Sequence, residues 1–591
     1  MKALTSVLVS SLVLGSLAIS ACGGSSSGNA SPDGGSGATG GGGGSGATGG
    51  GGGSGATGGS GGSGGFVGTV DKIDLLFMVD NSISMSDKQA LLAEAVPSLI
   101  QRLVTPRCLD SGGQPTGQNA PCPSGSEPEL KAVEDMHIGV VTSSLGGHGG
   151  DVCASGAQGQ DDHGRLLPSV RSGLPSFKDL GFLSWDPTNK EGGTTDANQL
   201  TTDFTAQVKA AGELGCGYEA SLESWYRFLI DPEPPEDVVQ NNGLSTPTGV
   251  DQTILAQRAA FLRPDSLVAI VMLTDENDCS IRDDEQGWLV STSGSNIPRA
   301  TSACQTNPDD PCCFNCGQSA PSGCAPTETD PECQKGPYDK TTEDTPNLRC
   351  WEQKRRFGVD WLYPTQRYVD GLTKTQIESR SGQSVPNPLF AGGRDPYLVT
   401  LVGIVGVPWQ LIATDESQSD PNLLEYKTAS QIDWAKITHT GIQPPSDPHM
   451  VESPTPRAGL PGPSSAPGAD PINGHEWLPH LDDLNFACIF PLPTPRDCAG
   501  ATGGCDCKQG GDPGYNQNNP LCQAPNGSYG SLQYSAKAYP GLRQLEVLRD
   551  LGDRGVAASI CAKAVDNPAN PIFGYNPAMD ALVLQLRHVL K

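Results

Sequence analysis

Positive charge is scarce in this chain: 38 lysines and arginines stand against 66 aspartates and glutamates, for a formal net charge of −28. That deficit argues against electrostatically driven binding to nucleic acid or anionic lipid and favours calcium-like cations or basic partners. Apolar residues are also few, at 36% against about 45–50% in typical soluble domains, which largely excludes a polytopic membrane protein. Glycine and proline are plentiful, 76 and 49 residues, so much of the length is linker or irregular loop. At 591 residues the chain exceeds one average domain, leaving several modules or one large decorated domain.

The N-terminus reads as an address. Lys2 is followed by an apolar stretch, Val7 to Ala18, too short to span a bilayer, and then by Ile19-Ser20-Ala21-Cys22. This run resembles the bacterial lipobox. The resemblance implies a signal peptide over 1–21, cleavage before Cys22 and lipidation of Cys22; an ordinary cleaved signal is the alternative. Gly23 after the cysteine implies, by the same likeness, export to the outer membrane or cell surface, held by more than one acyl chain. Residues 22–65 form a Gly/Ser/Ala/Thr-rich tether in which Ser-Gly-Ala-Thr recurs at Ser36, Ser45 and Ser54. It cannot build a core. As a flexible coil it spans roughly 35–40 Å and stretches to roughly 150 Å, enough to present a domain away from a membrane surface.

Of 19 cysteines, setting Cys22 aside leaves an even number in an exported chain, so disulfides are the default. Cys312, Cys313 and Cys316, or Cys505 and Cys507, could be read as zinc ligands but lack a regular second pair. Clustering from Cys279 to Cys350 and from Cys488 to Cys522 predicts stapled, core-poor loops.

Ordered sequence is expected from Phe66. Ile73 to Val79 is a nearly unbroken apolar run, the pattern of a strand buried on both faces of a parallel sheet. After the turn Asp80-Asn-Ser82-Ile-Ser84, the pairs Leu91/Leu92, Ala95/Val96, Leu99/Ile100 and Leu103/Val104 predict an amphipathic helix, with Pro97 as the point where it would kink. Further strands are expected at Ile138–Val141, Leu267–Leu273, Leu398–Val407 and Val556–Ile560. Helices are expected at Leu200–Ala211, Ala220–Ile230 and from Asn576, as N-cap ahead of Pro577, to Leu590. The class is α/β: an open, mostly parallel sheet flanked by helices. Because the last strand and helix close the chain, 66–591 reads as one domain, decorated by a Cys-rich insertion at about 279–349 and a Pro/Gly/Cys-rich one at about 409–544.

In such sheets ligands bind beyond the carboxyl ends of the strands. Asp80, Ser82 and Ser84 after one strand and Asp275 after another would offer only oxygen, which suits Mg²⁺, Ca²⁺ or Mn²⁺ rather than zinc. Here the chain resembles the von Willebrand factor type A family, the integrin inserted-domain fold. Asp80-x-Ser82-x-Ser84 closing the first strand and Thr274-Asp275 closing the fourth match its metal-ion-dependent adhesion site. The resemblance implies that Ser82 and Ser84 bind the cation directly, that Asp80 and Asp275 act mostly through water, and that an acidic side chain of a protein partner completes the coordination.

One feature departs from that family. Its loop threonine should fall within Gly212–Glu219, which contains none. Glu213 or Glu219 could substitute as an oxygen ligand, and Thr194 or Thr195 is the alternative. The bland reading is a helix-start turn whose side chains merely satisfy backbone donors. A Cys216–Cys279 disulfide would lock the two site loops together; otherwise each pairs elsewhere. The acidic run Asp275-Glu276-Asn277-Asp278, with Asp283-Asp284-Glu285, reads as solvated surface or an added calcium position.

Catalytic motifs are weak. In His475-Glu476-Trp477-Leu478-Pro479-His480 the histidines are five apart and Pro479 breaks the helix a metalloprotease needs. Gly-x-Ser-x-Gly occurs only in the tether. The expectation is therefore no enzyme but a lipid-anchored surface protein for cation-dependent protein binding or adhesion. The alternatives are a structural envelope protein with a degenerate site and an envelope-processing enzyme.

Overall fold

The computed structural model describes residues 70–590 apart from 154, 502–503, 508–517 and 588. The signal segment, Cys22 and the tether lie outside the described residues.

Six strands build the central sheet: β1 (Lys72–Val79), β2 (Asp135–Thr142), β3 (Leu183–Trp185), β4 (Leu267–Leu273), β5 (Val399–Val405) and β6 (Gly555–Ser559). Their spatial order is β6-β5-β4-β1-β2-β3, with β3 alone antiparallel at one edge. Every residue of β4 and β5, and all but the first of β1, is buried. Both faces are covered, which explains why these strands read as unbroken rather than alternating apolar runs. Each fully buried Leu, Ile or Phe contributes about 1.5–3 kcal/mol.

The flanking helices are α1 (Ser86–Val104), α2 (Ala197–Ala210), α3 (Ser221–Leu229), α4 (Gln252–Phe261), α5 (Thr365–Thr373), α6 (Leu542–Asp550) and α7 (Asn576–Arg587). Helix α1 packs on α2 and α7, α3 on α4 and α5, and α5 on α6. Pro97 lies inside α1, which continues through it. Two of these helices begin at aspartate caps, Asp196 for α2 and Asp251 for α4, whose carboxylates accept the first free N–H groups.

All eighteen cysteines from Cys108 to Cys561 are paired in nine disulfides. Cys312, Cys313 and Cys316 pair with Cys324, Cys304 and Cys333, and Cys505 and Cys507 with Cys498 and Cys522, so neither group is a zinc site. The second insertion is not a separate body. Met450, Phe490, Ala536 and Ala538 belong to the main core, Cys488 is bonded to Cys561 just past β6, and its hairpin Cys488–Asp497/Leu532–Ala538 ends shortly before α6. Trp477, Phe486 and Leu521 form a satellite core with Cys498, Cys505, Cys507, Cys522 and Tyr539.

Candidate cation site

The chain order reverses at β1, which has β4 on one side and β2 on the other, and the crevice outside their carboxyl ends is where such sheets take ligands. Asp80 follows β1 directly and donates its N–H to Leu273 O of β4 at 2.9 Å. Thr274 donates its backbone N–H to Ile404 O of β5 at 3.2 Å, and Tyr539 N–H reaches Asp275 O at 2.8 Å. Three strands and the second insertion thus fix the two aspartates in register.

The side chains converge. Asp80 Oδ1 accepts from Ser82 N–H at 2.8 Å and from the Ser143 hydroxyl at 3.1 Å, while Oδ2 accepts from the Thr274 hydroxyl at 2.7 Å. The Ser84 hydroxyl donates to Asp275 Oδ2 at 2.8 Å and lies 3.3 Å from the Ser82 hydroxyl. Asp80 and Asp275 are both fully buried. Burial first, and the Asp275 charge second, push the Asp80 carboxyl up to about 6 despite the hydrogen bonds from Ser82 and Thr274. Gln89 clamps the turn by donating to both Asp80 O and Gly212 O at 2.8 Å. Gly215 is required where it stands: its N–H bonds Asn81 O at 2.7 Å, and a Cβ there would lie 2.6 Å from that same oxygen.

The donor set fits a hard cation in its chemistry: two carboxylates and two hydroxyls, with Asp275 Oδ1 buried and without a hydrogen-bond partner. Among the described residues no group of three or more His, Cys, Asp or Glu could hold a metal ion, so a cation here would depend on Ser82 and Ser84. Lys88 joins the site although it was not among the expected site residues. It is 2% exposed, with Nζ 3.0 Å from Asp275 Oδ2, 3.4 Å from Asp87 and donating to Ser84 O at 2.8 Å. Burial alone would lower its ammonium, but the Asp275 and Asp87 charges outweigh that and raise it. One signal was available: Lys88 precedes Leu91 and Leu92 by three and four residues and so shares their buried face. Ser143, in the polar stretch after β2, was also overlooked as an Asp80 partner.

Above these residues opens a cleft of about 650 Å³. Ser82 and Ser84 line it, as do Glu219 from the α2–α3 loop, Glu276 beside Asp275, and Glu452, Asp483 and Asp506 from the second insertion. Glu219, buried, and Glu276, half-buried, are neighbouring acids; desolvation first, then neighbouring carboxylates, raise Glu219 well above its ordinary range and push Glu276 up to about 8. Burial likewise pushes Glu452 up to about 7. The rim is stapled, since Cys216, Cys279, Cys350 and Cys505 all line the cleft.

Several expectations are corrected. Cys216 pairs with Cys153, and Cys279 with Cys350, so the Cys216–Cys279 bond does not exist; each site loop is tied to a different neighbour, the loop after β2 and the end of the first insertion. Thr194 is not at the site. It bridges Trp185 of β3, which lies level with Met136, six residues before the carboxyl end of β2 and therefore roughly 20 Å from it along the strand. Glu213 accepts from Ser86 N–H at 3.3 Å at the start of α1 instead of facing a cation. In the acidic run Asp275, Asp278 and Asp283 are buried structure, whereas Asp284 and Glu285 are solvated as expected. Asp278 accepts from Leu222 N–H at 2.9 Å and pairs with Arg543, while Asp283 pairs with Arg227 and His148. In the His475–His480 segment no helix forms, and Glu476 is held by Arg457 at 2.7 Å in a buried pair.

Among the described residues no helix is long and apolar enough to cross a membrane. No protein-family model, no curated protein and no solved structure matches this chain.

Proposed function

We propose that this protein is an envelope-anchored lipoprotein, held by Cys22 at the outer membrane or cell surface, whose domain binds a protein partner through a divalent cation. The observation that carries the reading is the convergence of Asp80, Ser82, Ser84 and Asp275, the two serines lining an open cleft and the two aspartates buried behind them, with Asp275 Oδ1 lacking a partner. The strand order and the position of these residues at the topological switch support the likeness to type A domains.

Ser82 and Ser84 would hold the ion, Asp80 and Asp275 would balance its charge, and Glu219, which lines the same cleft, would be an additional donor. A bound Mg²⁺ or Ca²⁺, or Mn²⁺, would supply positive charge and an open coordination position for a partner carboxylate. The walls then set specificity. Asp506, held ionised by Lys537 and Lys88, and the net charge of −28 repel a broadly acidic surface, so the favoured partner offers a single protruding carboxylate on an otherwise neutral or basic face. Nucleic acid is disfavoured by the same charge.

A structural envelope role with a degenerate site is the second reading, and the Lys88 ammonium beside Asp275 favours it. Pull-down from intact envelopes with wild type and Asp80→Ala, each with and without chelator, separates the two. Capture that needs both the cation and Asp80 supports the binding reading; capture indifferent to both supports the structural one. Peptide or glycan turnover that survives Asp80→Ala would favour an enzyme.

A further inference from the structure

We infer that Lys88 is the resident counter-cation of this site: its ammonium neutralises Asp275, and a divalent ion enters by displacing it. This rests on the cation reading above. A lysine this deep in a protein is rare unless paired, and this one has little else to hold it. Its Nζ contacts Asp275 Oδ2 at 3.0 Å and Ser84 O at 2.8 Å, and the same Oδ2 accepts from the Ser84 hydroxyl at 2.8 Å. The ammonium therefore stands among the atoms a cation would use. Two positive charges cannot share that space, because at contact distance and inside a buried site their repulsion is only weakly screened.

A receiver for the displaced group is in place. Asp87 lies 3.4 Å from Nζ, and Asp506, on the cleft wall, is a further carboxylate that attracts Lys88. The device also sets selectivity. A monovalent ion brings no more charge than the ammonium it would replace, whereas Mg²⁺ or Ca²⁺ brings twice as much to Asp80 and Asp275. Lys88 is thus a positioning and specificity residue that lowers divalent affinity and excludes Na⁺ and K⁺.

The test is calorimetric titration of the full chain with MgCl₂ and with CaCl₂, for wild type, Lys88→Met and Lys88→Arg, with urea unfolding of each in chelator as an independent readout. Removing the ammonium should tighten divalent binding at least about tenfold and lower the metal-free urea midpoint, with Mg²⁺ restoring it. Arginine, which can grip Asp275 with two N–H groups, should bind the ions no better than wild type. Binding by Lys88→Met alone would also support the inference, showing a wild-type site held shut. Equal affinity in all three proteins overturns it while leaving the cation reading intact. Failure of all three to bind overturns both. Should Lys88→Met not fold, Lys88→Arg decides: tighter divalent binding than wild type overturns the inference, and equal or weaker binding with a retained midpoint supports it.

Discussion

Asp80→Asn separates a cation site from a helix-start turn, because the two readings predict opposite signs. In the metal-free protein Asp80 is fully buried beside Asp275, and its carboxyl is pushed up from 3.8 to about 6. Holding it ionised at neutral pH therefore costs about 3 kcal/mol, at 1.36 kcal/mol per pKa unit. The folded protein binds the extra proton between these two values, so this contribution to stability falls as pH rises from 3.8 to about 6 and stays lost above. Asparagine keeps an acceptor for Ser82 N–H and Ser143, and the Thr274 hydroxyl can turn to accept from the new amide. In chelator at pH 7 the variant should accordingly be more stable than wild type by about 1–3 kcal/mol, the difference vanishing below about pH 4. With Mg²⁺ at 100 times its dissociation constant wild type should gain about 2.7 kcal/mol and the variant nothing. Urea unfolding followed by circular dichroism at pH 4 and pH 7, with and without Mg²⁺, measures all four numbers. A variant less stable than wild type in chelator, or one that keeps the Mg²⁺ increment, would refute the reasoning.

Three further outcomes are expected. The Cys153→Ser/Cys216→Ser double variant opens a bridge of sequence separation 63 and should lose about 2–4 kcal/mol in urea unfolding; because Gly215 and Cys216 brace Asn81 and Ser144, its calorimetric divalent affinity should weaken as well. Arg457→Met strands the Glu476 carboxylate among buried groups and should cost about 3–5 kcal/mol in the same assay, with cation affinity preserved. Thr194→Ala, at the far end of the sheet, should leave Mg²⁺ affinity at the wild-type value in titration calorimetry.

Much of the sheet was legible in the sequence, and the reason is physical. β1, β4 and β5 are buried on both faces and so announce themselves as apolar runs. β3 was missed: three residues at an antiparallel edge carry almost no periodic signal. That Asp80, Ser82, Ser84 and Asp275 lie together could be read because strand ends and switch-point logic fix where they fall. Lys88 escaped because the helical period was counted from Leu91, although one turn earlier it points the same way. Glu276 and Asp278 were taken for solvated charge, since charge runs usually are; here the α6 segment and the second insertion fold back over them, with Arg543 on Asp278 and Lys537 near Glu276. Eighteen cysteines gave pairing no handle, because pairing is decided by loops whose paths are long-range. Thr194 misled through local composition alone.

The proposed hard cation lies where β1 and β4 end. Anomalous diffraction from crystals of the full chain grown with saturating MnCl₂ tests it most directly. The expected result is a Mn²⁺ peak within bonding distance of the Ser82 and Ser84 hydroxyls, facing Asp275 Oδ1, with the Lys88 ammonium withdrawn from Asp275 Oδ2. No peak there, with Lys88 still on Asp275, would contradict it.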